Sequence, residues 1–383
     1  MESATHSEAG EQPWPRVIGQ DRVKRILQAA MRTGRLPHAY LFYGAEGVGK
    51  DAMAMELARV LHCERNGTAA CGTCPSCERA ANGTHPDIRI VVPLPVGKGE
   101  SADDDPLARL NETDLRAIQE ELREKTANPY HRVSVPRATI IKINSIRDVR
   151  RESTMSTFDG RRRVYIITPA DAMGEEAANT LLKTLEEPSG GCMLILTTSR
   201  RDALLPTIVS RCQNIRFDPL SETDLMEALV GRNGLDTETA GFVARLANGS
   251  YTAALGLLAE ETLQERAFIP SFVRHVLGAS VQPFLEDVER FAAARDRAAV
   301  ERFLSLLLMW FRDAMVMTRG GRIINVDQEE DLRRFTTRFP QADLLRAMAD
   351  TERALSLVGR NVYIKLILLQ LVVQLRRTIA TTE

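Results

Sequence analysis

The chain has no apolar run long enough to cross a bilayer. Its most apolar stretches, 303–311 and 362–375, are short or interrupted by Arg312, Asp313, Lys365 and Gln374, whereas a hydrocarbon core of about 30 Å needs roughly 20 apolar residues in succession. No membrane contact is expected. Net charge is also nearly absent: 50 Lys and Arg stand against 51 Asp and Glu, a formal charge of −1. No global field therefore draws the chain to nucleic acid or lipid, and any polyanion contact must be local. Residues 1–15 are polar and acidic with no apolar segment; they read as a flexible N-terminus rather than a secretory or transit peptide, and the expected location is the cytoplasm. Cysteine is scarce, six in 383 residues, and under reducing conditions these serve as thiols or metal ligands rather than disulfides. Internal repeats and low-complexity arrays are missing as well.

What is present is ordinary in composition, 44% apolar and 26% charged, as in compact soluble proteins. The length allows two or three packed units. Apolar residues at helical spacing over 21–33 precede a strand at 39–43, a glycine-rich turn at 44–50 and a helix at 51–61. A cysteine-rich module occupies 63–77. Strands are predicted at 88–92, 139–143, 164–168 and 193–197, with helices at 110–125, 146–153 and 175–185. Residues 93–106, with Pro, Gly and three consecutive Asp, read as an exposed loop whose charge run is only a solvated surface; the wider insertion is 93–138. Alternating strands and helices imply a parallel sheet covered on both faces. Beyond Phe217 only helices are predicted. The expected domains are an α/β base over 16–218, a small helical lid over 219–262 and an all-α unit over 263–383.

Gly44-Ala45-Glu46-Gly47-Val48-Gly49-Lys50 fits the first seven positions of a phosphate-binding loop, between a strand and a helix as that motif requires. Such glycines let backbone amides turn inward around phosphate, with Lys50 on the outer phosphates. The eighth position breaks the pattern: Asp51 stands where a Ser or Thr hydroxyl should hold magnesium. A carboxylate there opposes a second polyanion and suits the positive helix N-terminus, where it is expected to take up the amide nest itself. Since Asp also binds magnesium, nucleotide binding reads as weakened, not excluded. The strand at 164–168 ends in Thr168-Pro169, without the carboxylate a nucleotide hydrolase needs. The next acid, Asp171, reads as a loop or cap residue.

Cys63, Cys71, Cys74 and Cys77 form C-x7-C-x2-C-x2-C. Four thiolates close a tetrahedral sphere and leave no position for water, so one structural zinc is expected. An iron–sulfur cluster or unligated thiols are the alternatives. Cys192 and Cys212, far away in sequence, read as small buried apolar residues.

Val17-Ile18-Gly19-Gln20, the 44–50 loop, the four cysteines, the run Asn179-Thr180-Leu181-Leu182-Lys183-Thr184-Leu185-Glu186-Glu187-Pro188 and Ser210-Arg211-Cys212 together resemble the bacterial DNA polymerase III clamp loader. The resemblance spans 17–217 apart from the insertion. It implies an AAA+ P-loop base with an inserted zinc module, a lid and a collar that joins five subunits. ATPase members of that family, gamma and tau, carry a Ser or Thr, an Asp-Glu pair and a lid arginine where this chain has Asp51, Thr168-Pro169 and Thr252. The remaining pattern resembles delta-prime, the member that does not hydrolyse ATP. Arg211 then inherits the role of an arginine finger, reaching ATP on a neighbouring subunit, where composition alone would have it end a helix and pair with a local carboxylate. Implied partners are the gamma/tau and delta subunits, the sliding clamp and, through the complex, primed DNA. The chain would be no enzyme alone but part of a DNA polymerase holoenzyme. Thr198 falls at the family's phosphate-sensing position without an assigned role. Arg147, Arg150 and Arg151 are candidates for DNA phosphate contacts, whereas 161–163 reads as the solvated entry to a strand. Leu366, Leu369, Val372 and Val373 form a stripe that is either collar interface or core. The alternative reading is an active gamma/tau-type or other DNA-dependent P-loop ATPase.

Overall fold

The structure, a computed structural model, describes residues 14–380 except 156, 159, 189–190, 259, 295, 322 and 359–361. Most of the expected N-terminal segment, 1–13, lies outside the described residues. The chain divides into two compact units: Met1–Leu235 with Asn248–Ala253, and Asp236–Ala247 with Ala254–Glu383.

The first unit runs α1 (Asp21–Arg32), β1 (Ala39–Tyr43), α2 (Lys50–His62), α3 (Pro75–Ala81), β2 (Ile88–Val91), α4 (Glu112–Ala127), α5 (Ile143–Ser153), β3 (Arg163–Ile167), α6 (Glu175–Glu186), β4 (Cys192–Thr198), α7 (Pro206–Arg211), β5 (Gln213–Arg216) and α8 (Glu222–Asn233). Five parallel strands form one sheet in the order β2-β3-β4-β1-β5. Leu41 on β1 is level with Leu196 on β4 and Asn214 on β5. The continuous apolar sequence of β4 follows from its place at the centre, where every residue from Cys192 to Thr198 is buried. On one face Leu41, Tyr165 and Leu194 pack with Ile146 and Val149 of α5 and with Leu181 and Leu185 of α6. Cys192 and Cys212 join this core, and burial pushes each thiol up to about 12.

The helices expected at 110–125 and 146–153 are present as α4 and α5. The strand expected at 139–143 is not: a single bridge joins Ile141 to Met173, and the chain enters α5 at Ile143. The physical reason is Lys142, whose buried ammonium donates to the Pro95 carbonyl at 3.1 Å, the Pro106 carbonyl at 2.8 Å and the Glu100 carboxylate at 2.6 Å. That internal ion pair replaces a ladder. Within 93–106 the loop is therefore exposed only in part: Glu100 is buried with Lys142, whereas the charge run keeps to the surface, with Asp103 92% exposed. Strand β5 had no apolar signal because only Ile215 in Gln213–Arg216 is buried.

The second unit contains α9 (Thr237–Leu246), the remainder of α10 (Tyr251–Leu257), α11 (Glu260–Leu277), α12 (Gln282–Ala294), α13 (Arg297–Thr318), α14 (Glu329–Arg338), α15 (Leu344–Val358) and α16 (Ile364–Leu375). It has no strand among the described residues. Its core is built around Phe303, Leu304, Leu307 and Phe311 of α13. The α16 stripe divides: Val372 is core and Leu369 packs beside it, whereas Leu366 and Val373 are exposed.

Candidate functional site

The 44–50 loop leaves β1 at the carboxyl edge of the sheet, where ligands bind in open parallel sheets. Gly44, Gly47 and Gly49 all have positive φ, at 152°, 75° and 99°. What approaches them here is the chain itself. A Cβ on Gly47 would lie 2.1 Å from Ser250 Oγ, and one on Gly49 would lie 2.9 Å from the Tyr130 hydroxyl. Tyr251 N donates to the Gly47 carbonyl at 3.0 Å, and Thr252 Oγ1 donates to the Tyr130 carbonyl at 2.9 Å. Tyr130 and Tyr251 meet edge to face with centroids 4.9 Å apart. The Tyr130 hydroxyl in turn accepts from Ile18 N at 2.9 Å, and Gln20 Nε2 donates to the Val48 carbonyl at 3.0 Å. The motif 17–20 is thus the outer support of the loop.

Lys50 folds back on this loop. Its ammonium donates to the Gly44 and Ala45 carbonyls at 2.9 and 2.5 Å, and burial holds its pKa below the ordinary lysine value. Asp51 does not take up the amide nest as expected. Its carboxylate instead accepts from Lys125 Nζ at 2.6 Å, Thr197 Oγ1 at 2.6 Å and Thr168 Oγ1 at 3.1 Å. Burial alone would raise this carboxyl, but Lys125, Thr197 and Lys50 outweigh it and hold the pKa below the ordinary value. A lysine ammonium from α4 therefore sits on the carboxylate at the eighth loop position. Asp171 is not recruited either: it accepts from Thr198 Oγ1 at 2.6 Å and pairs with Arg200 at 2.7 Å.

The sequence reading missed Lys125, Tyr130 and Ser250. The first two lie in the insertion, and one lysine near the end of an amphipathic helix carries no signal of a partner 74 residues away.

The four cysteines converge, with all their sulfurs within 4.8 Å of one another. Cys71 Sγ and Cys77 Sγ are 3.9 Å apart, close to the edge of about 3.8 Å that four Zn–S bonds of about 2.3 Å imply. The amides of Cys71 and Cys77 donate to the sulfurs of Cys63 and Cys74 at 3.3 and 3.4 Å, as bound thiolates require. Hydrogen bonding led by the Thr73 amide brings the Cys71 thiol down to about 6. Donor type, spacing and orientation all fit a tetrahedral metal. Arg161 ties this module to the sheet unit by donating to the Leu61 and Cys63 carbonyls at 3.1 and 2.8 Å. With Arg162 on the Leu36 carbonyl and Arg163 on buried Asp87, 161–163 is a set of anchors rather than a solvated strand entry.

Arg211 closes α7 at the surface. Its guanidinium pairs with Glu186 at 2.7 Å and donates to the Thr207 carbonyl at 3.1 Å. Arg147 is held by Asp103 and the Ala102 carbonyl of the insertion, and Arg151 by Asp148 at 2.7 Å.

A parallel sheet with a glycine loop after β1 followed by a helix has the form of a P-loop module, here with Ser250, Tyr251 and Tyr130 packed against the loop glycines. The family model of the DNA polymerase III delta subunit matches residues 19–221, more than half of the chain, and the chain belongs to that family. Within it the likeness is to delta-prime. The DNA polymerase III subunit delta' of Bacillus subtilis (strain 168) is 27% identical over 361 residues, covering 93% of this chain and 96% of that one. Subunit delta' of Pseudomonas aeruginosa is 35% identical over 176 residues, covering 46% and 41%. Subunit tau of Escherichia coli (strain K12) is 28% identical over 247 residues, covering 63% and 32%. No helix among the described residues is long and apolar enough to cross a membrane.

Proposed function

We propose that this chain is the non-hydrolysing, delta-prime-like subunit of a clamp loader, which donates Arg211 in trans to ATP on a neighbouring gamma/tau subunit and helps place the sliding clamp on primed DNA. The observation that carries this reading is the Asp51–Lys125 pair. Lysine holds the carboxylate where a hydrolase has a hydroxyl and magnesium, while Thr168, at the end of β3, supplies a hydroxyl in place of an acid. Arg211 supports the other half: it lies on the surface in a weak, exposed pair with Glu186, from which a guanidinium can move to a phosphoryl group at low cost. Its charge would offset the charge developing on the transferred phosphoryl. The domains proposed are a base over 16–218, a lid over 219–262 and a collar over 263–383, with partners gamma/tau, delta, the clamp and DNA.

Cys63, Cys71, Cys74 and Cys77 would hold one structural zinc. Bound there, the metal supplies cross-linking and no chemistry, because four thiolates leave no open position.

The test is ATP turnover by the purified chain alone and then mixed with the matching ATPase and delta subunits, clamp and primed DNA. No turnover alone, with stimulated turnover in the mixture that falls on Arg211→Ala while assembly persists, is the expected result. Intrinsic turnover lost on Lys50→Ala would instead mark an active ATPase, a reading that the intact Gly44 to Lys50 backbone favours.

A further inference from the structure

The helical unit carries a groove of about 430 Å³ lined by α11, α13 and α14. Its floor is apolar, formed by Val273, Leu277, Trp310, Phe335 and Phe339. Trp310 is 2% exposed and meets Phe335 edge to face with centroids 5.0 Å apart. Its indole Nε1 is buried without a hydrogen-bond acceptor among the described residues.

The rim is cationic. Arg274, Arg334 and Arg338 line it, against Asp331 as its one acid. Arg274, exposed at its side chain, reaches the partly buried Asp331 at 3.6 Å, and Arg334 pairs with Glu330 one turn back at the surface. The Arg338 guanidinium lies 5.7 Å over the Phe339 ring. Exposed pairs of this kind exchange partners readily, and each guanidinium can grip a carboxylate with two parallel hydrogen bonds. In a chain of formal charge −1, three arginines around an apolar floor are a local feature.

We propose that this groove docks an acidic linear segment of a partner polypeptide, with an apolar side chain on the Trp310–Phe335 floor and carboxylates on Arg274, Arg334 and Arg338. Charge and shape select that occupant. Against nucleic acid stand Glu330 and Asp331, which sit beside the arginines and oppose a continuous phosphate backbone. An acidic peptide needs only one anchor and a few separated carboxylates.

The chain has two tryptophans, so Trp14→Phe leaves Trp310 as the sole indole reporter in the full-length protein. The probe is the acetylated peptide Glu-Asp-Asp-Leu-Phe-Asp-Glu, read by Trp310 fluorescence and by anisotropy of a fluorescein-labelled copy. Expected are saturable binding and at least tenfold weakening in Arg334→Glu with Arg338→Glu. The same peptide with lysine at each acidic position should not bind. The Arg334→Ala, Arg338→Ala pair repeats the test without charge reversal, and circular dichroism checks each fold. Absence of saturable binding, binding indifferent to both arginine pairs, or tighter binding of oligo(dT) through the same arginines would each overturn the proposal.

Discussion

Lys125 Nζ lies 2.6 Å from Asp51 Oδ2, joining the end of the insertion helix to the first turn of the helix that follows the phosphate loop. The lysine side chain is 4% exposed and the aspartate 23%. Each removes the other's desolvation penalty, so neither can be deleted alone without leaving a charge poorly solvated.

Lys125→Met should therefore destabilise the first unit by about 2–3 kcal/mol, somewhat below the range for fully buried pairs because Asp51 keeps some solvent. Urea unfolding measures this, and adding Asp51→Ser to Lys125→Met should recover part of the loss. A loss under about 0.5 kcal/mol would show that the pair does not hold the insertion to the loop helix.

The same pair sets a pH dependence. The folded Asp51 carboxyl titrates below its ordinary value, while the unfolded one titrates near 3.9. The unfolded chain thus takes up the proton first on acidification. The contribution of Asp51 should be fully present above about pH 5 and decline below it, through pH 3.9 and the lower folded value. Stability of the wild type minus that of Asp51→Asn, followed from pH 7 to pH 3, should stay level and then shrink; a difference that grows in acid would contradict this.

Gly47→Ala should destabilise the unit by about 2 kcal/mol in the absence of any nucleotide, since φ is 75° and the new methyl would meet Ser250 Oγ. Adding Ser250→Ala should relieve a portion of that. A neutral Gly47→Ala would mean that the glycine is not needed for this close approach.

Metal analysis should find one zinc per chain, and Cys74→Ser should lose it. Losing the site should lower the Tm, by roughly 2–4 °C for each kcal/mol lost in a unit of this size. A metal-free preparation with unchanged Tm would contradict a structural zinc.

Arg211→Ala should leave the isolated chain within about 0.5 kcal/mol of wild type, because its pair with Glu186 is exposed. Its effect belongs to the assembled complex. A large loss of stability in the monomer would indicate that Arg211 serves the fold instead.

Much of this architecture can be read from residues near one another in the chain. Apolar runs 39–43, 164–168 and 193–197 mark central strands because both faces of a parallel sheet are covered, and four cysteines within fifteen residues announce their convergence. Glycine spacing locates the loop, and Asp51 and Thr168-Pro169 are the sequence features on which the proposed loss of hydrolysis rests. Edge strand β5 and the 139–143 segment resisted that reading, one for want of apolar residues and the other because a buried lysine overrode its β-branched pattern.

Local order along the chain determined most of the elements, their sequence and the grouping of the four cysteines, since periodicity and short-range spacing are properties of neighbours. Contacts across long separations were decided only by the tertiary structure. Lys125 on Asp51, Tyr130 and Ser250 against the loop glycines, and the apolar floor shared by α11, α13 and α14 each join residues far apart in sequence. Hydrogen bonds and ion pairs of that kind depend on side chains meeting at about 3 Å, a condition that packing creates and residue type alone does not encode.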